Sequence, residues 1–219
     1  MKKGFTLAEV LITLGIIGIV AAMTLPTVIN DSRERETVAK VKKFYSVMNQ
    51  ALLMAISKHG YVDDWGFCEQ NNAECAAQFV RYLKPELKIL RDCADATDCI
   101  FNGSYKLLKG TTFQSTYGTN PMYYKIILFD GSYLWIRHNS SSICQNTDAG
   151  TDNVCGLLWH DINGPKNPNQ LGVDLFVFFI MNNRIIPHSN DDCYTEEKGW
   201  GCSGFVLQHD NLKYPQRKN

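Results

Sequence analysis

The chain has 219 residues, with 22 basic and 22 acidic side chains and a formal net charge of zero. This balance provides no general electrostatic attraction to nucleic acid, so no nucleic-acid partner is indicated. The eight cysteines favour a disulfide-bonded part that folds outside the cytoplasm.

The first segment combines a basic start with a long uncharged stretch. Lys2 and Lys3 lie close to the N-terminus, and no charged residue occurs from Val10 to Ile29. Twenty helical residues span about 30 Å, the thickness of the hydrocarbon core of a bilayer. Residues 10–29 are therefore predicted to cross a membrane once, with the two lysines on the cytoplasmic side.

Glu9 distinguishes this segment from a secretory signal peptide. A signal peptide has an uninterrupted apolar region of about 7–15 residues, whereas this one is longer and has an acid at its start. A plain membrane anchor explains the length, but it explains neither the acid nor the pair Gly4-Phe5. An unpaired acid at the edge of a membrane span costs free energy, so Glu9 is predicted to be functional.

Beyond the charged residues 31–36, the sequence predicts an amphipathic helix over 31–59. Apolar residues recur there at intervals of three and four: Val38, Val41, Tyr45, Met48, Leu52 and Ile56. Polar side chains, including Asn49 and Gln50, mostly fill the other face, and Gly60 is a suitable terminator. One helix over residues 5–59 would be about 82 Å long. A filament of packed helices needs such a length, whereas a compact domain does not. The apolar stripe can also cover the core of the domain formed by the rest of the chain.

The cysteines indicate disulfides in the remaining part of the chain. They form neighbouring pairs, Cys68/Cys75, Cys93/Cys99, Cys144/Cys155 and Cys193/Cys202. Eight cysteines allow 105 connectivities, and pairing between neighbours is the simplest. Zinc is the weaker alternative, because there is no C-x2-C spacing and no histidine at ligand spacing beside a cysteine pair.

Residues 61–219 are predicted to form one exported head with a single core. A helix is expected over 73–90, interrupted by Pro85. Two β-hairpins follow, over 122–138 with an Asp130-Gly131 turn and over 173–187 with an Asn182-Asn183 turn. Residues 204–207 form the last apolar piece. A long N-terminal helix followed by antiparallel strands predicts the α+β class.

The stretch K-K-G-F-T-L-A-E-V-L-I-T-L, residues 2–14, resembles the N-terminus of type IV pilins and type II secretion pseudopilins. The resemblance implies cleavage after Gly4 by prepilin peptidase, N-methylation of Phe5, and pairing of Glu9 with the N-terminal amine of a neighbouring subunit. Pro26 matches a helix-kinking proline that is common in that family. Although the motif covers only about thirty residues, it is specific.

The same resemblance implies a ladle-shaped fold. Residues 1–4 would be a leader that is removed, and residues 5–60 a long helix that is transmembrane over 10–29 and amphipathic over 31–59. Residues 61–219 would then be the disulfide-rich head with an antiparallel sheet.

Residues 161–174, DINGPKNPNQLGVD, concentrate oxygen-bearing side chains before a strand. Major pseudopilins bind calcium in a loop near the end of their sheet, and this stretch looks broadly similar. Asp161, Asn163 and Asp174 could supply hard oxygen ligands. The EF-hand pattern is not met, because Pro165 occupies the fifth position and no glutamate closes the loop. A turn without metal is the alternative.

No catalytic motif is present: the chain lacks G-x-S-x-G, H-E-x-x-H and G-x-x-x-x-G-K. The histidines are scattered, the adjacent acids Asp63-Asp64 and Asp191-Asp192 fit solvated turns, and the four tryptophans are expected in the core. The sequence therefore predicts a protein that is not an enzyme.

The predicted function is that of a structural subunit, a pilin or pseudopilin, of a type IV pilus or a type II secretion filament that assembles through its N-terminal helix. The expected partners are other pilin or pseudopilin subunits and prepilin peptidase. The expected location is the cytoplasmic (inner) membrane, crossed once, with the head in the periplasm or outside the cell. The alternative is a membrane-anchored periplasmic binding domain that does not polymerise.

Overall fold

The computed structural model describes residues 6–66, 72–101, 103–113, 118–138, 144–188, 193 and 198–214. The described α-helices are α1 (Leu7–His59), α2 (Ala73–Leu83) and α3 (Cys202–His209), and two 3-10 turns cover Val62–Trp65 and Lys84–Glu86. The described strands are β1 (Ile89–Ala94), β2 (Tyr105–Lys106), β3 (Thr112–Phe113), β4 (Tyr124–Leu128), β5 (Tyr133–His138), β6 (Asn146–Asp148), β7 (Thr151–Asp161), β8 (Leu175–Met181) and β9 (Ile185–Pro187). The α+β class is thereby confirmed.

Helix α1 continues through Pro26 and ends one residue before Gly60. The positive φ of Gly60, 83°, and the hydrogen bond from its N–H to the carbonyl of Ile56, 2.9 Å, are typical of a helix C-terminus. Lys58 and His59 in the last turn lie near the negative end of the helix dipole. The predicted long helix and its terminator are confirmed.

The chain divides into two compact units, residues 1–36 and 37–219. In the first unit the described residues form the start of α1, and the apolar side chains of residues 10–29 are exposed. Among the described residues, α1 alone has the length and the hydropathy needed to cross a bilayer, and none of its most apolar window is buried. This exposure is what lipid contact requires.

In the second unit, a seven-stranded antiparallel sheet has the order β1-β4-β5-β7-β8-β9, and β6 also pairs with β7. The short strands β2 and β3 pair separately. Strand β7 is the longest and lies in the middle of the sheet, where it pairs with β5 and β8. Its last residue, Asp161, begins the loop that leads to β8.

The second half of α1 packs on one face of this sheet. Its buried side chains are Val38, Val41, Phe44, Met48, Ala51, Leu52 and Ala55. They share a core with alternate residues of the central strands, such as Ile136, Leu158 and Phe178. The intervening residues, such as Trp135 and Trp159, form a second core on the other face. The unit is thus built in layers, and the predicted packing of the helix on the sheet is confirmed.

Both predicted hairpins are present, as β4–β5 and β8–β9. Gly131 in the first turn has a φ of 82°, the left-handed conformation that glycine adopts without strain. The predicted helix over 73–90 was wrong at its C-terminal end, because the chain leaves the helical conformation around Pro85 and enters β1 at Ile89. The apolar residues 204–207 lie in helix α3.

Asn49 connects α1 with the edge of the sheet. Its Nδ2 donates to the carbonyl of Ile185 at 3.2 Å, and the Ile185 N–H donates to its Oδ1 at 2.9 Å. The side-chain amide therefore pairs with the edge strand β9 as a neighbouring peptide group would. The sequence predicted Asn49 on the polar face of the helix, but the side chain is partly buried and forms hydrogen bonds with the carbonyl and the N–H of Ile185.

We expect Asn49→Ala to lower the free energy of unfolding by about 1–3 kcal/mol, because it leaves two part-buried backbone groups of Ile185 unpaired. Gln50→Ala, at the next and exposed position, should change it by less than about 0.5 kcal/mol. Denaturant titration of the full chain in detergent, followed by tryptophan fluorescence, measures both. Equal effects of the two substitutions would show that the Asn49 contact contributes nothing.

Candidate functional site

The first turn of α1 is closed by a reciprocal pair of contacts between Thr6 and Glu9. The N–H and the hydroxyl of Thr6 donate to Glu9 Oε2 at 2.8 and 2.9 Å, and the Glu9 N–H donates to Thr6 Oγ1 at 3.3 Å. This arrangement is a capping box. Its signature, T-x-x-E over residues 6–9, is present in the sequence, in addition to the predicted pairing of Glu9 with the amine of a neighbouring subunit.

The capping box leaves part of the Glu9 carboxylate open. Both contacts from Thr6 go to Oε2, no hydrogen bond to Oε1 occurs among the described residues, and the side chain is exposed. A carboxylate has about four acceptor positions, so Glu9 can close the helix and accept an external donor at the same time. Gly4 and Phe5, the predicted cleavage and methylation positions, lie outside the described residues.

Disulfides join neighbouring cysteines in the head. The structure pairs Cys93 with Cys99, Cys144 with Cys155 and Cys193 with Cys202, at sequence separations of 6, 11 and 9. Cys75 is disulfide-bonded as well, and its predicted partner, Cys68, lies outside the described residues. Each described bridge closes a short loop and so restricts the unfolded chain.

The structure brings Asp161, Asn163 and Asp174 together at the C-terminal end of β7. The Asn163 N–H donates to Asp161 Oδ1 at 3.1 Å, and its Nδ2 donates to Asp174 Oδ2 at 3.2 Å. Both carboxylates are buried, with exposed fractions of 0% and 2%. The predicted ligand set is therefore close in space, but it is joined by hydrogen bonds.

Further donors occupy the same two carboxylates. Asp161 accepts from the Tyr105 hydroxyl at 2.7 Å and the Gly164 N–H at 3.0 Å. Asp174 accepts from the backbone N–H groups of Asn169 at 2.8 Å and Gln170 at 2.5 Å. A calcium ion would have to displace these donors from the oxygens it needs. The geometry therefore favours the alternative, a turn held by hydrogen bonds without metal.

We expect millimolar calcium to leave the melting temperature of the full chain unchanged, because every carboxylate oxygen of Asp161 and Asp174 already accepts a hydrogen bond. Differential scanning fluorimetry with calcium, magnesium and chelator in parallel tests this. A rise specific to calcium that Asp174→Asn abolishes would establish the ion site instead.

Burial and the nearby charge of Asp174 raise the pKa of Asp161 from 3.8 to about 8. The hydrogen bonds from Tyr105 and from the backbone oppose this shift but do not cancel it. The folded state therefore holds a proton on Asp161 at neutral pH, which removes one of two buried like charges.

This shift predicts how stability depends on pH. Because the pKa is higher in the folded than in the unfolded state, the stabilising contribution is complete below about pH 4 and is lost as the pH rises through about 8. We expect Asp161→Asn, which keeps an acceptor and carries no charge, to flatten the decline in unfolding free energy between these values. Asp98→Asn, at an exposed loop position, is the control and should keep the decline. Denaturant titrations at several pH values measure this decline. An unchanged decline in Asp161→Asn would contradict the raised pKa of Asp161 as its cause.

The other candidate residues are structural. Trp65, Trp135 and Trp159 are at most 3% exposed, and Trp200 packs against the second core, as expected of core tryptophans. Asp63 Oδ1 accepts from the Cys144 N–H at 2.8 Å. In the part of the chain that the structure describes, the one cluster with metal-ligand spacing is Asp63, Cys144 and Cys155. Its two sulfurs form a disulfide and so lack the thiolates that bind zinc.

The comparisons with known proteins divide the chain in two. A prokaryotic N-terminal methylation motif matches residues 1–25, and a family of unknown function (DUF6613) matches residues 27–216. No curated protein and no solved structure shows a significant match. The methylation motif is that of type IV pilin- and pseudopilin-type proteins, and it includes the predicted processing positions and overlaps the predicted membrane segment.

Proposed function

We propose that this chain, which belongs to the family of unknown function DUF6613 and begins with a prokaryotic N-terminal methylation motif, is a non-enzymatic structural subunit of a filament. The filament is of the type IV pilus or type II secretion kind. The main observation in support of the proposal is that α1 is one continuous helix over Leu7–His59. The methylation motif, residues 1–25, overlaps the start of this helix, whose residues 10–29 expose their apolar side chains.

Exposed apolar side chains over some 30 Å of helix require a cover. Before assembly the cover is the lipid of the inner membrane, which the subunit crosses once with its head outside the cytoplasm. In the filament, the same segments of neighbouring subunits cover these side chains. The second half of α1 is already buried on the sheet of its own chain, so this half ties the head to the segment that assembles.

In this proposal prepilin peptidase cuts after Gly4, and the new N-terminus, Phe5, is methylated. The amine of Phe5 on one subunit then pairs with Glu9 of the next. The open Oε1 of Glu9 supports this step, because the carboxylate can accept the amine while Oε2 keeps the contacts with Thr6. A charge-assisted hydrogen bond in lipid gives both energy and register.

We expect mass spectrometry of the mature chain, purified from its membrane, to show an N-terminus at N-methylated Phe5. Gly4→Val, which blocks the position before the cut, should leave the full-length chain with its two lysines. A mature chain that begins after Ala22 would instead identify a cleaved signal peptide and remove the basis of the proposal.

Glu9→Gln separates the two tasks of the carboxylate. Glutamine can keep the capping box but cannot form an ion pair, so we expect membrane insertion to persist and sheared filaments to fall at least about tenfold. Thr6→Ala removes the side-chain cap and keeps the charge, so filaments should decrease less. Asp31→Ala, an exposed acid on the same helix, is the control.

Assembly that is unchanged in Glu9→Gln would count against the filament and in favour of a membrane-anchored binding domain. Deletion of the gene then distinguishes a type IV pilus from a type II secretion system. Loss of surface filaments identifies a pilus, whereas loss of exported enzymes with surface filaments intact identifies a secretion system.

A further inference from the structure

A cavity of about 520 Å³ lies between the second half of α1 and the edge of the sheet. One wall is the stretch of α1 from Lys40 to Met54, and the other is formed by residues 86–88 and by the turn between β4 and β5. Fifteen helical residues extend over about 22 Å, so the cavity is elongated along the helix. Its volume is within the range of small-molecule sites.

One end of the cavity is apolar. Met48, Ala51 and Leu87 line it, and Val47 and Met54 stand at its opening with exposed fractions of 42% and 46%. Phe129 extends from the β4–β5 turn with 72% of its surface exposed. Apolar side chains grouped around one opening are unusual for a surface that only water contacts.

The other end contains His160 of β7. The imidazole is 3% exposed and stacks on Phe44, with ring centroids 3.6 Å apart. Neither ring nitrogen has a hydrogen-bond partner among the residues that the structure describes. Burial lowers the pKa of His160 to about 3, so the ring is neutral and has one N–H donor without an acceptor. An unpaired buried donor is costly unless something supplies the missing acceptor.

The charges around the cavity favour an anion. Lys40, Lys43 and Lys88 line it together with two acids, Glu86 and Asp130. Both acids have partners: Glu86 pairs with Lys58 at 2.5 Å, and Asp130 pairs with Lys43 at 3.6 Å and accepts from Ser132. Asp130, Lys40 and Lys43 all act electrostatically on His160, so two lysines and one acid lie near the polar end.

We propose that this cavity binds a single-chain amphiphile with an anionic head, its alkyl chain along Met48 to Met54 and its head at His160, Lys40 and Lys43. The head supplies the acceptor that the imidazole N–H lacks, and the chain covers the apolar side chains at the opening. A free fatty acid and a lysophospholipid share this chemistry. The site is separate from the N-terminal assembly segment, and its occupation does not depend on filament formation.

The methionines allow a direct test with the full chain in nanodiscs. Met48 and Met54 line the cavity, Met122 and Met181 pack against the second core, and Met23 lies in the apolar segment of α1. We expect dodecanoate to shift the 13C-methyl signals of Met48 and Met54 saturably and to leave those of Met122 and Met181 in place. Dodecanol, which has the same chain without charge, should bind at least about tenfold more weakly.

Two variants and a matched control localise the binding. His160→Phe keeps the ring stack with Phe44 and removes the donor, so the affinity for dodecanoate should fall about tenfold or more. Val47→Trp fills the opening and should abolish the saturable shift. Leu53→Trp changes an exposed position on the same helix that does not line the cavity, and it should bind as the unmodified chain does.

The outcomes separate binding from partition into lipid. Shifts of Met48 and Met54 that rise linearly together with that of Met23, or that survive Val47→Trp, would overturn the proposal. Equal affinities for dodecanoate and dodecanol would do the same. Tighter binding of dodecanoate than of a dodecanoyl lysophosphatidylglycerol identifies a fatty acid as the ligand, and the reverse order identifies a membrane-lipid fragment.

Discussion

The packing of the second half of α1 on one face of the sheet is the contact on which the head depends. Buried residues from Val38 to Ala55 complete a core that the sheet cannot close by itself. Asn49 adds a hydrogen-bonded connection to the edge strand β9.

On the opposite face, aromatic side chains and a short cross-link among the described residues cover the sheet. Trp135, Trp159 and Tyr105 lie in this second core, and the bridge between Cys93 and Cys99 belongs to the same cluster. Small loops without regular structure bury little surface of their own, and disulfides compensate by restricting the unfolded chain. The loop after β7 achieves the same result with two buried carboxylates that collect backbone donors.

The parts of this fold with strong local signals were predictable. The Asp130-Gly131 turn between alternating strands identified a hairpin, and the three- and four-residue spacing after Pro26 identified the buried face of α1. Strand β7 was missed because its second half is buried on both faces, and such a strand has a plain apolar run in place of an alternating pattern. The roles of Asn49 and His160 depend on residues far away in the sequence, Ile185 and Phe44, so no local pattern could reveal them.

The capping box at the start of α1 has a consequence for the proposed association between subunits. A free glutamate side chain has many rotamers, and fixing it on binding costs roughly 1.5–2 kcal/mol of conformational entropy. The two contacts with Thr6 have already selected one rotamer before a second chain arrives. A preorganised acceptor loses less freedom when it captures its donor, so the proposed ion pair between two subunits would cost less conformational entropy.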